Sequence, residues 1–377
     1  MNIKLSIITT ILLCGLFFSC KDALHKPEAL TKVTIREVEL DTIFGKLLIV
    51  DQGGVTGADG VISFSLPEGK SVFMMGDSFL SEVINGKRNP KSQMINNTFI
   101  ELDLNRGVSK SIYKGSLDEP ETMLIPMEAE RTKEYYWPGH GFEKDSVIHI
   151  FMSKFWDDPS ITEGWKFKFK GTDYLRLEGG SYKVISQEIF PFTDINNVHY
   201  GHSLLKEDKY TYIYGSRVIK NRAELHVARA LFGSKENRLT DFEIFDGNTW
   251  VSDAGKTNAL KGINKNVPEQ FSVFKYGSHY ILVMQERELS GGVYSYISNT
   301  PVGPWRNEKL LFRTTEKTNK KDGIITYNAM AHPQYIKDEK LLVSYCVNSL
   351  DVASIHENVL YYRPVFYNIP LEIILSD

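Results

Sequence analysis

One pattern recurs along this chain at wide intervals: a short apolar strand, a tight polar turn and a second strand rich in aromatic residues. The first copy runs from Gly57 to Asp77 and turns at Pro67–Lys70. Three further copies have the same order of strand, turn and strand, and they span Tyr200–Ser216, Glu269–Val283 and His332–Tyr345. Hairpins repeated at such intervals are typical of the blades of a β-propeller.

The spacing of these copies predicts an all-β fold, a five-bladed β-propeller over residues 33–377. Copies begin near residues 59, 201, 269 and 332, and a fifth blade is expected to begin near residue 140. The aromatic segment Tyr361–Tyr367 is expected to close the ring by pairing with the N-terminal strand. Phe44–Val50 is predicted to be a strand and Tyr135–Gly141 a loop, and no amphipathic helix longer than two turns is expected.

The N-terminus predicts a lipoprotein signal peptide over residues 1–19. Lys4 precedes the apolar run Leu5–Phe18, which is short for a membrane span, and Ser19 then precedes Cys20. A small residue before cysteine at this place predicts cleavage and lipidation, such as palmitoylation, of Cys20. Residues 20–32 would be the tether of a protein anchored in the cell envelope, in the periplasm or at the outer-membrane surface. The alternative is an ordinary secretory signal with a chance cysteine.

The net charge indicates which partners to expect, and the cysteine content indicates whether a disulfide can form. The net charge is −3 and no basic stripe is present, so nucleic acid is not an expected partner. If Cys14 leaves with the signal peptide and Cys20 carries lipid, Cys346 is the single remaining cysteine. It lies in an apolar segment and is predicted to be a buried strand residue without a disulfide.

The residues that open each copy are expected near the central axis of the ring. They are Asp59, the segment Trp137–His140, His199 or His202, Glu269 and His332. An aspartate and a glutamate on opposite sides of a cavity are what glycoside hydrolysis requires, one as base and one as proton donor. The alternatives are that Asp59 is a turn residue, that Glu269 is merely exposed and that His332 is a hydrogen-bonded structural histidine.

The sequence does not predict a metal centre or a serine hydrolase. His-Glu-x-x-His and Gly-x-Ser-x-Gly are both absent. Histidines 140, 199, 202 and 332 could converge on a metal at the axis, but hydrogen-bonded histidines around water are the favoured interpretation.

Several short motifs give the chain a resemblance to a known enzyme superfamily. They are Thr56–Gly60, Gly76–Phe79, Asn96–Thr98, Tyr212–Gly215, Glu269–Val273, Pro301–Trp305, Ala331–Pro333 and Tyr362–Pro364. With them the chain resembles the five-bladed propeller glycoside hydrolases of the family forty-three type. It looks most similar to the group catalogued as domain of unknown function 4185, some members of which are endo-D-arabinanases.

The resemblance implies roles for individual residues. Asp59 takes the place of the general base and Glu269 that of the general acid. His332 resembles a final-blade histidine that faces a central water or a cation such as Ca²⁺. A middle-blade aspartate that tunes the acid has no counterpart, because His199-Tyr200-Gly201-His202 stands there. Asp77 is a candidate third carboxylate, and the residues expected to line the substrate pocket are Trp137, His140, His199, His202 and His332.

The expected function is therefore hydrolysis of a glycosidic bond in a polysaccharide or oligosaccharide, with arabinose-containing glycans among the candidates. The expected partners are the glycan and, through Cys20, a membrane. The alternative is a catalytically inactive, cell-surface glycan-binding propeller, for which the missing aspartate argues. A structural propeller with a plugged apolar axis is a third hypothesis.

Overall fold

The computed structural model describes residues 37–162, 165–193, 195–233, 235–287, 289, 291–314 and 323–376. Within these ranges the protein is mostly β, and no helix exceeds five residues. The α-helices are α1 (Phe44–Leu48), α2 (Ala129–Thr132), α3 (Ser354–Glu357) and α4 (Leu371–Leu375). Short 3₁₀ helices span Pro67–Gly69, Ala254–Lys256 and Val359–Tyr362.

The strands alternate with tight turns throughout the described residues. The first half contains β1 (Glu39–Asp41), β2 (Gly57–Ala58), β3 (Ile62–Ser65), β4 (Lys70–Met75), β5 (Ser78–Phe79), β6 (Val83–Ile84), β7 (Lys87–Arg88), β8 (Met94–Ile95), β9 (Thr98–Asp103), β10 (Val108–Ile112), β11 (Lys114–Gly115), β12 (Pro120–Glu121), β13 (Tyr135–Lys144), β14 (Val147–Asp157), β15 (Phe167–Glu178) and β16 (Val184–Ile189). The second half contains β17 (Val198–Glu207), β18 (Tyr210–Ile219), β19 (Arg222–Gly233), β20 (Arg238–Phe245), β21 (Trp250–Val251), β22 (Ser272–Tyr276), β23 (His279–Gln285), β24 (Gly292–Ser298), β25 (Arg306–Arg313), β26 (Ile324–Lys337), β27 (Lys340–Ser349) and β28 (Val365–Pro370).

Most of these strands form five antiparallel sheets. Their strand orders are β3-β4-β9-β10, β13-β14-β15-β16, β17-β18-β19-β20-β21, β22-β23-β24-β25 and β26-β27-β28-β1. The predicted hairpins are confirmed: β3 pairs with β4, β17 with β18, β22 with β23, and β26 with β27. The last sheet combines both ends of the described chain, because β1 pairs with β28, with Leu40 opposite Tyr367. The predicted pairing of the C-terminal aromatic segment with the N-terminal strand is thus confirmed.

The first strand of each sheet lies next to the first strand of the following sheet. Strand β3 contacts β13, β13 contacts β17, β17 contacts β22, β22 contacts β26, and β26 returns to β3. Alternating apolar side chains from neighbouring sheets fill the spaces between them, as in the cluster of Ile281, Val283, Val343 and Tyr345. The described residues therefore form a closed, propeller-like ring.

Polar side chains join these innermost strands in sequence around the ring. The hydrogen bonds are His140 Nε2 to Ser63 O (3.1 Å), Leu204 N to His140 Nδ1 (2.9 Å), Val273 N to Ser203 Oγ (2.8 Å), Ala331 N to Ser272 Oγ (2.9 Å) and His332 Nδ1 with Ser63 Oγ (2.7 Å). Each bond pairs a backbone or side-chain group that would otherwise be left unsatisfied at an inner sheet edge.

Three of the innermost strands are interrupted by a shift of register. The shifts lie between Pro138 and Gly141, between Tyr200 and Ser203, and between Tyr327 and Met330. Glycine is required where two of these irregular segments meet, because a Cβ on Gly139 would lie 2.5 Å from the carbonyl oxygen of Gly201. The shifts change the direction of the strands beside the cavity described below.

Two local predictions are wrong. Phe44–Val50 is not a strand, since Phe44–Leu48 forms α1. Asp41 Oδ1 accepts hydrogen bonds from the backbone N–H groups of Ile43 and Phe44, and Phe44 and Leu48, four residues apart, share the buried face. Tyr135–Gly141 is not a loop but part of β13, where Pro138 is tolerated because this strand lies at the edge of its sheet.

The predicted signal peptide, the tether and Cys20 lie outside the described residues. Among the residues that are described, no helix is long and apolar enough to cross a membrane.

Candidate active site

A cavity of about 680 Å³ receives side chains from all five sheets or from the segments beside them. Asp59 and Asp77 flank the first hairpin, Trp137 comes from β13, His202 from β17 and Tyr327 from β26. Glu269 reaches the cavity from the segment before β22. Three carboxyl groups predicted to be catalytic therefore line one cavity.

The backbone fixes Asp59 beside Asp77. Asp59 N donates to Asp77 O (3.3 Å) and Gly76 N donates to Asp59 O (2.8 Å), so the two segments run side by side. A Cβ on Gly76 would overlap Asp59 Oδ1, so only glycine allows the Asp59 carboxyl group to lie there. Gly60, with φ of +68°, takes the chain out of the site in a left-handed conformation that favours glycine.

Tyr327 holds the other oxygen of Asp59. Its hydroxyl donates to Asp59 Oδ2 at 2.7 Å, and Asn348 Nδ2 donates to the same hydroxyl at 3.1 Å. Burial raises the pKa of Asp59 to about 6, although the bond from Tyr327 favours the ionised form. Asp59 is thus a carboxyl group that can exchange a proton near neutral pH.

Asp77 is held by two donors on one oxygen. Trp137 Nε1 lies 2.8 Å and Asn96 Nδ2 lies 3.3 Å from Asp77 Oδ1. Burial first, and then the negative charge of Asp59, raise the pKa of Asp77 to about 7. Two carboxyl groups this close resist double ionisation, so the pair retains a proton to higher pH than either group would alone.

The surroundings of Glu269 favour its ionised form. Burial would raise its pKa, but the interaction with His199, whose Nδ1 is 3.6 Å from Glu269 Oε1, outweighs it. His202 and Arg287 act in the same direction, and the pKa of Glu269 falls to about 2. A general acid must hold a proton, so this environment does not support the acid role that the resemblance implies for Glu269.

Two polar side chains at the cavity have unsatisfied atoms. His202 is 3% exposed, and neither ring nitrogen has a hydrogen-bond partner among the residues that the structure describes. Gln270, 9% exposed, leaves Oε1 unpartnered. Burial lowers the pKa of His202 to about 4, so the neutral ring offers one donor and one acceptor to a bound molecule.

His140 and His332 do not line the cavity, contrary to the prediction that they line the substrate pocket. His140 ties three innermost strands together through Ser63 and Leu204. His332 is fully buried, with its ring nitrogens bonded to the hydroxyls of Ser63 (2.7 Å) and Ser344 (2.8 Å). Both rings have their nitrogens occupied within the protein. His199 also lies outside the lining and acts on the cavity through Glu269.

The groups around His332 do not fit the axial Ca²⁺ ion that the resemblance allows. Calcium takes six to eight oxygen ligands, usually with carboxylates among them. His332 instead meets neutral serine hydroxyls that bond to it or to Gln334. The described residues contain no group of three or more His, Cys, Asp or Glu side chains suited to a metal ion.

Cys346 is a buried strand residue, as predicted. Its thiol accepts a hydrogen bond from Gly60 N at 3.3 Å, and burial raises its pKa well above the ordinary value. A thiol held protonated in this way is a poor nucleophile.

Several side chains of the site were not predicted from the sequence. Tyr327 and Asn348 are more than 260 residues from Asp59 in the chain, and nothing local marks them. The aromatic wall of the cavity includes Tyr135, Phe155, Trp165 and Phe167. The strict alternation of aromatic and lysine residues from Trp165 to Phe169 was the available signal for part of this wall.

One solved structure shares the fold of this chain, and two others have a lower similarity to it. A candidate hydrolase from Bacteroides ovatus is similar with a TM-score of 0.72 and 18% identity, over 88% of this chain and 93% of the other. The GH43_1 enzyme from Xanthomonas citri, complexed with xylotriose, has a TM-score of 0.47 and 10% identity over 86% of this chain and 89% of its own. The arabinanase Arb43A of Bacillus subtilis has a TM-score of 0.40 and 9% identity over 84% and 97%.

No curated protein matches the sequence. A family model, described as domain of unknown function (DUF5005), matches residues 41–370. The expected closeness to domain of unknown function 4185 stays a prediction, because that model is not the one that matches. Since the match covers most of the chain, the protein belongs to the DUF5005 family.

Proposed function

We propose that this protein is a glycoside hydrolase built on a five-bladed β-propeller. The observation that carries the proposal is the pair Asp59 and Asp77, two adjacent carboxyl groups with raised pKa values that line one cavity. Glycosidases need one carboxyl group that is ionised and one that holds a proton at the same pH. The aromatic wall and the unsatisfied His202 and Gln270 suit a polyhydroxylated ring with apolar faces.

The roles follow from the surroundings of each group. Asp77 has the higher pKa and donates its proton to the glycosidic oxygen as the bond to the leaving sugar breaks. Asp59 accepts a proton from the attacking water, the role predicted from the sequence. Glu269, ionised beside His199, stabilises the positive charge that develops on the sugar ring in the transition state. This assignment replaces Glu269 by Asp77 as the proton donor.

Release of reducing sugar tests the proposal. The protein is incubated with arabinan, arabinogalactan, D-arabinan and xylan, beside Asp59→Ala, Asp77→Ala and Glu269→Ala. Glu119→Ala, at an exposed carboxylate that does not line the cavity, is the matched control. We expect the control to be as active as the wild type. The activity of Asp59→Ala and Asp77→Ala should fall by at least about 10³-fold, and that of Glu269→Ala by about 10–100-fold. Full activity of Asp59→Ala or Asp77→Ala would contradict the proposal.

A glycan-binding protein without catalysis is the second candidate. It is favoured by the ionised state of Glu269 and by the histidines in place of the middle-blade aspartate. It predicts that a polysaccharide is retained by the protein while no reducing sugar appears.

We also propose that the protein is lipid-anchored in the cell envelope through Cys20, after removal of residues 1–19. The support is the apolar run that ends at Ser19–Cys20. Incorporation of labelled palmitate by cells that express the wild type, but not Cys20→Ala, is the expected result. Equal labelling of the two proteins would contradict it.

A further inference from the structure

A row of aromatic side chains leads from the carboxyl groups to the outside of the protein. Trp165, Phe167 and Phe169 are separated by lysines 166 and 168, and the strand β15 begins at Phe167. Because side chains alternate between the two faces of an extended chain, the three aromatic residues share one face. We call Trp165, Phe167 and Phe169 the aromatic row.

The inner end of the aromatic row contacts two side chains that hold the proposed catalytic groups. The ring of Phe169 stacks on His199 with 3.6 Å between centroids, and His199 is the partner of Glu269. Phe167 packs against Trp137 at 4.8 Å, and Trp137 donates to Asp77. The row is therefore fixed relative to both sides of the proposed reaction centre.

The outer end of the row is open to solvent. Trp165 lies 5.8 Å from Phe167 and is 58% exposed, although a large aromatic side chain gains from burial. Both Trp165 and Phe167 line the cavity that contains Asp59 and Asp77. An aromatic face that continues outward from the carboxyl groups of the cavity gives a chain-like ligand a surface beyond the reacting unit.

The charge of the cavity restricts that ligand. Asp59, Asp77, Asp157 and Glu269 line it, whereas Lys166 is the only lysine or arginine among the lining residues that the structure describes. An acidic sugar would meet repulsion from the ionised members of this group. A neutral sugar can instead stack on the aromatic faces and bond through its hydroxyls to His202 and Gln270, whose buried atoms lack partners.

We propose that the outer part of the aromatic row, Trp165 and Phe167, binds the sugar units of a neutral glycan chain that follow the reacting unit. The inference rests on the proposed function for the position of the reacting unit. It adds that the ligand is an uncharged chain of several units, and that Trp165 contributes to its affinity without touching the reacting bond.

Affinity electrophoresis tests this inference independently of catalysis. The full-length protein is run through gels that contain arabinan, arabinogalactan, xylan or, as the acidic glycan, polygalacturonate. The variants are Trp165→Ala, Trp165→Phe and the matched control Trp156→Ala, since Trp156 pairs with Lys168 and lies on the opposite face of the sheet. Circular dichroism verifies that each variant is folded.

We expect the apparent Kd of the wild type for at least one neutral polysaccharide to be about tenfold lower than its apparent Kd for polygalacturonate. Trp165→Ala should weaken that binding about tenfold, while Trp165→Phe and Trp156→Ala stay within about threefold of the wild type. The inference would be overturned if Trp165→Ala bound as tightly as the wild type, or if Trp156→Ala lost as much affinity as Trp165→Ala. It would also be overturned if polygalacturonate bound more tightly than every neutral polysaccharide, or if no neutral polysaccharide retarded the protein. Retardation without release of sugar would leave the inference intact and remove only the hydrolase proposal.

Discussion

The indole Nε1 of Trp137 donates a hydrogen bond to Asp77 Oδ1 over 2.8 Å, which joins the aromatic wall of the cavity to one of its carboxyl groups. An indole can only donate, so the bond is stronger when Asp77 is ionised. Burial and the charge of Asp59 act in the opposite direction and prevail. Trp137 thus limits how far the pKa of Asp77 rises, in addition to offering its ring to the ligand.

Replacement of Trp137 by phenylalanine should shift the pH dependence of catalysis. The variant keeps an aromatic ring but loses the donor, so the pKa of Asp77 should rise further. If Asp77 is the proton donor, activity is lost as pH increases through this pKa, and the alkaline limb of the kcat/KM profile should move upward by about 0.5–1 pH unit. Trp156→Phe is the control, and an alkaline limb that stays in place would contradict the role of Asp77.

Asp77→Asn should stabilise the protein at alkaline pH. Burial raises the pKa of Asp77 from the ordinary 3.8 to about 7 in the folded state. The folded state therefore binds this proton more tightly than the unfolded state does. The resulting stabilisation is complete below about pH 4 and is lost as pH rises through about 7. Asparagine cannot ionise and avoids the cost of a buried charge.

Thermal unfolding checks the prediction at two pH values. At pH 8 the free energy of unfolding of Asp77→Asn should exceed that of the wild type by roughly 1–3 kcal/mol, and the difference should shrink towards zero at pH 4. Glu119→Gln, at an exposed carboxylate, should show no such change. If Asp77→Asn were less stable than the wild type at pH 8, the prediction would be wrong. That result would mean that Trp137 and Asn96 stabilise the ionised form of Asp77.

Local pattern was sufficient to predict the hairpins, whereas the pairing of the chain ends was predicted from the closure that a propeller ring requires. Alternating apolar residues and polar turns lie within a few residues of one another, as in Val61–Phe64 and Ser71–Met75, so the sequence carries that information directly. The same reasoning failed at Tyr135–Gly141, because proline and two glycines were interpreted as a loop. In the structure they form an edge strand with a shifted register, which tolerates these residues.

The cavity was predicted only in part, because its contacts join distant segments. Asp59, Asp77, Trp137, His202 and Glu269 do meet there. No local pattern, however, indicates that Tyr327 donates to Asp59 or that His199 keeps Glu269 ionised. The sequence favours hydrogen-bonded histidines near the axis, and His140 and His332 are hydrogen-bonded, but no local pattern indicates that their partners are Ser63, Leu204 and Ser344.

Gly76→Ala should impair the site through Asp59. The added Cβ would overlap Asp59 Oδ1, and Tyr327 holds the other carboxyl oxygen at 2.7 Å, so the group cannot move without losing that bond. We expect activity to fall by about 10²-fold or more, with a loss of roughly 1–3 kcal/mol in the free energy of unfolding. Gly233→Ala is the matched control, since its Cβ would meet no atom closer than 3.4 Å. Equal activity of the two variants would show that Asp59 is not a reacting group.

Ser63→Ala should weaken the ring without changing the chemistry of the site. Ser63 Oγ is bonded to His332 Nδ1 and to Gln334 Nε2, each at 2.7 Å, and it joins the first and last of the innermost strands. Its removal leaves polar groups unpaired, among them the nitrogen of the fully buried His332. The free energy of unfolding in urea should therefore fall by about 2–4 kcal/mol, whereas Ser65→Ala, at the exposed end of the same strand, should change it by less than about 0.5 kcal/mol.

Burial lowers the pKa of His332 to about 3, so its ring is neutral between pH 5 and 8 and the destabilisation should be the same across that range. A loss confined to the acidic end would show instead that the ring of His332 is charged there, and an unchanged stability would mean that the polar contacts between the innermost strands do not hold the ring closed.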